Sequence, residues 1–168
     1  MNRAKSLDTK DFVAQIERLT KQRMSQEKVV SLDQIKGLGR TQAKPFSLLM
    51  IEDDPSVRRS LTRLFQNEGY TVHTAADATE LSQILDGKAI DLILLDVGLP
   101  WINGFELAEL MKCHKDLKKI PLIFISGHTT EADVKKGFQM GADDYIKKPF
   151  NIENVRRTVR TLLHLAYD

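Results

Sequence analysis

The chain has 168 residues, of which 42% are hydrophobic and 29% charged, and its formal net charge is +2. This composition is typical of one globular domain with a modest extension, and it excludes collagen-like, low-complexity and large multidomain proteins. The single cysteine, Cys113, excludes an intramolecular disulfide. A single unpaired cysteine fits a reducing, cytoplasmic setting, and because no apolar run reaches the roughly 20 residues that a transmembrane helix needs, we expect no membrane span.

The positive charge is concentrated at the front of the chain. Residues 1–45 contain ten lysines and arginines against five acidic residues (+5), whereas residues 46–168 contain fifteen against eighteen (−3). Apolar residues at helical spacing, such as Phe12 and Ile16, predict an amphipathic helix in the first segment, and Ser31 to Ile35 predict a short second one. We therefore expect a basic helical extension and linker over residues 1–45, followed by one domain over residues 46–168.

From Ser47 onward, short apolar runs alternate with longer amphipathic segments. The predicted strands cover Leu48 to Ile51, Tyr70 to Thr74, Ile90 to Leu95, Leu122 to Ile125 and Tyr145 to Lys147. A helical pattern follows each of them, and the third and fourth strands are continuous enough in apolar residues to be central. This order predicts an α/β fold, a (βα)5 doubly wound parallel five-stranded sheet with helices on both faces.

The patterns also predict the conformation or the burial of a few single residues. Gly69, Gly87 and Gly141 each follow a helical pattern and are predicted to end it in the left-handed conformation. Cys113 lies within a helical pattern and is predicted to be a small core residue. Trp101, in the loop beyond Asp96, is predicted to be a partly exposed packing residue.

Polar side chains follow four of the predicted strands at the point where each strand ends. They are Glu52, Asp53 and Asp54 after the first strand, Asp96 after the third, Ser126 after the fourth, and Lys147 and Lys148 after the fifth. Ligands bind beyond the carboxyl ends of such strands, where the first and third strands are neighbours in the common order. Converging carboxylates repel one another unless a cation joins them, and an all-oxygen set favours Mg²⁺ over zinc.

The same set of side chains suits phosphoryl chemistry. An aspartate carboxylate can act as a nucleophile toward a phosphoryl group. Mg²⁺ and a lysine would stabilise the transferring oxygens, and a serine hydroxyl such as that of Ser126 would hydrogen-bond one of them. The sequence therefore predicts uptake of a phosphoryl group by a carboxylate at this edge of the sheet.

These features resemble the receiver domain of two-component response regulators. The resemblance is carried by the segments LLMIEDDPSVRRSL, LILLDVGLPWINGFEL, LIFISGHT and GADDYIKKPF, and it covers about Phe46 to Tyr167. Ser126 and Lys148 follow Asp96 by thirty and fifty-two residues, which are the spacings of that family. The resemblance implies a flavodoxin-like fold and a signalling switch that catalyses only its own phosphotransfer and dephosphorylation, rather than an enzyme with a separate substrate.

The resemblance also implies a role for each acidic residue of the site. Asp96 is the implied phosphoacceptor. Asp53 and Asp96 are implied Mg²⁺ ligands, with the backbone carbonyl of Gly98 as a third and Glu52 assisting through the waters of the metal. His128 occupies a position at which receivers tune the rate of hydrolysis.

The remaining implied roles concern the phosphoryl group and the switch. Ser126 is expected to turn toward the phosphoryl group and Lys148 to pair with it. Lys147 is the rival to Lys148, but the family pattern places the ligand directly before Pro149. Tyr145 is implied to be the aromatic switch residue, although a tyrosine at such a position is otherwise an ordinary half-buried strand residue.

A receiver domain implies particular partners. The implied phosphoryl donor is a histidine kinase or a histidine phosphotransfer protein. The output would leave through the face of the fourth helix, fifth strand and fifth helix, or through residues 1–45, toward a downstream protein or a second copy of the chain. We recognise no output domain, and without a recognition helix or aromatic platform we do not expect nucleic-acid binding.

Three other interpretations of the acidic set remain open at this stage. A haloacid-dehalogenase-like phosphotransferase would need a second aspartate two residues after the nucleophile, where this chain has Gly98. A docking module would bind a cation in the acidic set without taking up a phosphoryl group. A flavin-binding protein would need a phosphate-cradling loop after the first strand, where three acids would repel the phosphate of FMN.

Overall fold

The computed structural model describes residues 44–168, so the predicted helices of the extension lie outside the described residues. Strands and helices alternate in this part of the chain: β1 Ser47–Ile51, α1 Pro55–Asn67, β2 Thr71–Ala75, α2 Ala78–Gly87, β3 Leu92–Leu95, α3 Gly104–Cys113, β4 Leu122–Ser126, α4 Glu131–Gln139, β5 Asp144–Lys147 and α5 Ile152–Tyr167. The strands form one parallel sheet in the order β2-β1-β3-β4-β5. The predicted (βα)5 doubly wound fold is confirmed.

The two faces of the sheet are covered by different helices. Successive residues of β1 point to opposite faces, so Leu48 and Met50 pack in one core and Leu49 and Ile51 in the other. Buried residues of α1 and α5 belong to the first core, and buried residues of α2 and α3 to the second. None of the helices among residues 44–168 combines the length and apolarity that crossing a membrane requires.

Every strand lies within two residues of its predicted bounds: β1 and β5 begin one residue earlier and β4 ends one residue later than predicted. The differences at β3 and β2 have identifiable causes. β3 begins at Leu92 rather than Ile90, because the Asp91 carboxylate accepts a hydrogen bond from the backbone N–H of Ser47 at 2.7 Å. This side-chain contact ties the start of β3 to the start of β1. β2 is shifted one residue toward the C-terminus, since the ring of Tyr70 packs against Phe65 of α1 before the strand begins.

The predictions for the glycines and for Cys113 were correct only in part. Gly69 and Gly141 have the expected positive φ angles, 89° and 100°. The prediction for Gly87 was wrong, because this residue is the last of α2 and the chain leaves the helix through Lys88 in an extended conformation. The prediction for Cys113 was also wrong: it is exposed, since it ends α3 on the side away from the core.

Candidate functional site

The acidic site is positioned by the pairing of the two central strands. Ile51 lies opposite Leu95 in the β1–β3 ladder, so Glu52 and Asp96 leave neighbouring strands at the same level. The backbone N–H of Asp96 donates to the carbonyl of Ile51 at 3.0 Å, which extends the pairing one residue beyond the strand. As a result, one carboxylate oxygen from each of Glu52, Asp53 and Asp96 lies within 4.8 Å of the others.

Asp54, the third acidic residue after β1, caps a helix instead of joining the acidic cluster. The Asp54 carboxylate caps α1 and accepts hydrogen bonds from the backbone N–H groups of Ser56 at 2.8 Å and Val57 at 3.4 Å. Pro55 follows at the first helical position, where its missing N–H costs nothing. The helix therefore starts immediately after the acidic residues and keeps the β1–α1 loop short.

Glu52 and Lys148 form the shorter of the two ion pairs in the site. The Lys148 Nζ lies 2.8 Å from Glu52 Oε2 and 3.6 Å from Asp96 Oδ2, whereas Lys147 is exposed. Only 4% of the Glu52 side chain is exposed, so this is a buried carboxylate with a cationic partner. The structure thus places Lys148, and not Lys147, among the acids.

The protonation equilibria of this pair reflect competing effects. Burial raises the pKa of Glu52, and the negative charge of Asp96 adds to the rise, against the lowering by hydrogen bonds from Lys148 and from the backbone N–H of Asp54. Burial alone would lower the pKa of Lys148, but its hydrogen bond to Glu52 and the charges of both carboxylates outweigh burial and raise it. The lysine is therefore held charged, while the carboxylate beside it remains costly to ionise.

Asp96 is held by the β3–α3 loop. Its carboxylate accepts a hydrogen bond from the backbone N–H of Gly98 at 3.3 Å, and the residue is 8% exposed. The start of α3 packs directly against this position: a Cβ on Gly104 would lie 2.3 Å from the Asp96 carbonyl oxygen and 2.5 Å from Val97 Cα. A glycine is therefore required at residue 104 for the backbone that carries Asp96 to lie where it does.

Ser126 and Tyr145 lie on the opposite side of the site. Ser126 is fully buried at the end of β4, and its hydroxyl accepts a hydrogen bond from the backbone N–H of His128 at 3.1 Å. The Tyr145 hydroxyl donates to the carbonyl of His128, and its ring lies against Gly137 of α4. Burial raises the pKa of this hydroxyl, a hydrogen bond with the Ser126 side chain opposes the rise, and the charges of Asp133 and Asp96 add to it. Tyr145 therefore connects β5 with the β4–α4 loop that follows Ser126.

A cavity of about 490 Å³ opens beside the site between the β3–α3 loop and His128. Gly98, Pro100 and Trp101 contribute to its lining. The indole N–H of Trp101 donates to the carbonyl of Ala76 at 3.1 Å, and its ring packs on the core. The prediction of a partly exposed packing residue at Trp101 is confirmed.

Sequence reasoning missed three residues that shape the site. Arg58 donates hydrogen bonds to the loop carrying the acids, and Gly104 and Gly137 allow close packing against Asp96 and Tyr145. An arginine in the first turn of a helix is electrostatically unfavourable, and this was the available signal for Arg58. Gly137 lies inside α4, where a glycine is costly unless packing requires it, whereas Gly104 is the first residue of α3 and its position gave no such signal.

The fold and the site together define a doubly wound α/β domain with three carboxylates and a lysine at the carboxyl edge of its sheet. The family model described as "Response regulator receiver domain" matches residues 48–160. The chain belongs to the response regulator receiver domain family. Receiver domains are signalling switches, and this agrees with the expectation that the chain is a switch.

A curated relative agrees with this assignment. The aerobic respiration control protein ArcA of Escherichia coli K12 is 38% identical over 116 residues, which are 69% of this chain and 48% of ArcA. The chain thus spans about half the length of this curated relative.

Solved structures show the same fold. A response regulator structure from Chloroflexus aurantiacus is 32% identical, with a TM-score of 0.67 over 72% of this chain and 99% of that one. The receiver domain of the sensor histidine kinase PA1611 from Pseudomonas aeruginosa, which holds a magnesium ion in its active-site cleft, is 22% identical, with a TM-score of 0.64 over 71% and 98%. At that identity the second likeness concerns the fold alone.

Proposed function

We propose that this chain is a phosphorylation-controlled signalling switch of a two-component or phosphorelay system, which accepts a phosphoryl group on Asp96 with the help of Mg²⁺. The observation that carries the proposal is the Lys148 ammonium, which lies between the Glu52 and Asp96 carboxylates at 2.8 and 3.6 Å. A lysine at this place supplies a positive charge for an incoming phosphoryl oxygen. The proposed donor is a histidine kinase or a histidine phosphotransfer protein.

The carboxylate oxygens fit a magnesium ion. Mg²⁺ binds through one or two carboxylates and keeps several waters, and Glu52, Asp53 and Asp96 present oxygens within 4.8 Å of one another. Asp53 is exposed and Asp96 faces the same cleft, so these two would hold the ion, with the Gly98 carbonyl as a further ligand and Glu52 reaching it through water. When bound, the ion neutralises negative charge on the transferring phosphoryl oxygens.

The proposed chemical step is a displacement at phosphorus. A carboxylate oxygen of Asp96 forms the new phosphorus–oxygen bond while the phosphorus–nitrogen bond of the donor phosphohistidine breaks, and the imidazole leaves with the bonding electron pair. Lys148 then pairs with one phosphoryl oxygen. The Ser126 hydroxyl, which now accepts from the His128 N–H at 3.1 Å, donates to another.

The proposed output is a change of conformation. A Ser126 hydroxyl that turns toward the phosphoryl group alters the β4–α4 loop, to which Tyr145 is bonded through the His128 carbonyl. The face of α4, β5 and α5 would carry that change to a downstream protein, and residues 1–45 or a second copy of the chain are further candidates for the contact. A cytoplasmic location and the division at residue 45 remain predictions.

Intact mass measurement with acetyl phosphate tests the proposal. We expect a gain of one phosphoryl group, roughly 80 Da, that requires Mg²⁺ and disappears in Asp96→Asn. Asp54→Asn is the matched control, because asparagine caps a helix as well as aspartate and the Asp54 carboxylate is committed to α1. Uptake by Asp96→Asn, or none by folded wild type with Mg²⁺, would overturn the proposal and favour a docking module.

A further inference from the structure

Arg58 is bound to the backbone of the acidic loop. Its Nη1 donates hydrogen bonds to the carbonyl oxygens of Glu52 at 2.9 Å and of Asp53 at 3.1 Å. These are the two residues of the β1–α1 loop whose carboxylates belong to the acidic cluster. One guanidinium nitrogen thus fixes the peptide groups from which both carboxylates project.

The place of Arg58 in the helix is not explained by helix stability. Arg58 lies in the first turn of α1, which contains no acidic residue, and a positive charge there opposes the helix dipole. Among residues 44–168, its neighbour Arg59 donates only to the carbonyl of Pro55 within the same helix. The two adjacent arginines therefore have the same charge but different contacts.

We propose that Arg58 is a positioning residue for the cation site, which holds the β1–α1 loop so that Glu52 and Asp53 present their carboxylates toward Asp96. This inference rests on the proposed function, since the cation is the Mg²⁺ of that proposal. The charge of Arg58 and its hydrogen bonds predict opposite changes in Mg²⁺ affinity when the residue is replaced. A nearby positive charge weakens cation binding, so its removal should tighten binding if charge alone mattered. Loss of an orienting hydrogen bond should weaken it.

Calorimetric titration of the whole chain with Mg²⁺ separates the two effects. We expect Arg58→Met to bind Mg²⁺ about 10-fold to 100-fold more weakly than wild type, the usual cost of losing an outer partner of a metal ligand. Arg59→Met removes the same charge one residue away and should bind as tightly as wild type or slightly more tightly. Arg58→Lys keeps a charged donor with a shorter reach, so its affinity should lie between those of wild type and Arg58→Met.

Circular dichroism and urea unfolding verify that each variant is folded, and amide NMR shifts of the Asp53 and Asp54 backbone report the loop directly. Without added metal, we expect these amide chemical shifts to differ from wild type in Arg58→Met and to equal the wild-type values in Arg59→Met. If Arg58→Met does not fold, Arg58→Lys must bind Mg²⁺ more weakly than Arg59→Lys.

Two negative results are distinguishable. Wild-type affinity in folded Arg58→Met, or in Arg58→Lys relative to Arg59→Lys, would overturn the role of Arg58 and leave the proposed function intact. Absence of Mg²⁺ binding by wild type would overturn the proposed metal site, and the positioning role with it.

Discussion

Replacement of Lys148 by methionine tests the electrostatics of the site without any assumption about function. Methionine keeps the apolar stem but removes the ammonium that lies 2.8 Å from Glu52. The Glu52 carboxylate, whose side chain is only 4% exposed in the wild-type protein, then faces Asp96 without a cation between them. Breaking a buried pair in this way typically destabilises a protein by about 3–5 kcal/mol, and proton uptake by Glu52 keeps the loss here at the lower end of that range.

The pH dependence gives this prediction its sharpest form. A folded-state pKa above the ordinary value of 4.5 for Glu52 means that the folded protein binds the proton more tightly, so stability falls as pH rises from that value to the folded-state pKa. Because the carboxyl can take up a proton, the cost of an unpaired Glu52 has a ceiling, about 3 kcal/mol at pH 7 and about 1 kcal/mol at pH 5, at 1.36 kcal/mol per pKa unit. We expect the destabilisation in Lys148→Met to shrink accordingly on acidification.

Urea unfolding at pH 7 and pH 5 measures the effect. Lys147→Met is the matched control, because it removes an exposed lysine one residue earlier and should change stability by less than about 0.5 kcal/mol. Addition of Glu52→Gln to Lys148→Met removes the unpaired charge and should recover most of the loss at pH 7. A loss of equal size at both pH values would refute an uncompensated Glu52 carboxylate as its cause.

Two glycines give the remaining predictions. In Gly104→Ala the new Cβ would lie 2.3 Å from the carbonyl oxygen of Asp96, so α3 must shift; we expect a loss of about 3 kcal/mol in urea unfolding. Gly87→Ala, with nothing within 4 Å, is the control, and an equal loss there would contradict the steric explanation. In Gly137→Ala the Cβ would lie 2.7 and 2.9 Å from ring carbons of Tyr145, so the ring must move outward and its burial-raised pKa should fall toward 10.0. NMR titration of ring-labelled tyrosine measures this, and an unchanged titration would mean that the helix has moved instead.

The sequence predicted the fold well because the period of its apolar residues changes between strands and helices. Continuous apolar runs such as Leu92–Leu95 indicate strands buried on both faces, and all five strands were found within two residues of the predicted bounds. The errors arose where a side chain competes with the backbone or where a helix ends. Asp91 delays the start of β3 by binding the Ser47 N–H, and Cys113 follows the helical period but has no core beside it.

The site was predictable to the extent that it depends on strand ends. Parallel pairing alone brings Glu52 and Asp96 to one level, and the alternation of side chains at the end of β5 leaves Lys147 exposed while Lys148, the next residue, reaches the acids. The contact of Arg58 with two backbone carbonyls depends instead on the path of a three-residue loop, which no periodicity encodes. The functional roles of the site residues remain proposals.

The ion pair between Glu52 and Lys148 joins residues that are 96 positions apart, and it connects the end of the edge strand β5 with the end of β1 across β4 and β3. During synthesis, Glu52, Asp53 and Asp96 therefore leave the ribosome well before their counter-charge exists. Contacts of such long sequence separation form late in folding, because the chain between them must first be ordered. A nascent or prematurely terminated chain that ends before β5 carries the three acids without Lys148. The acids therefore gain their lysine partner only once β5 has been made and has joined the sheet. A site in which Lys148 contacts Glu52 is thus found only in a chain whose five-stranded sheet is complete.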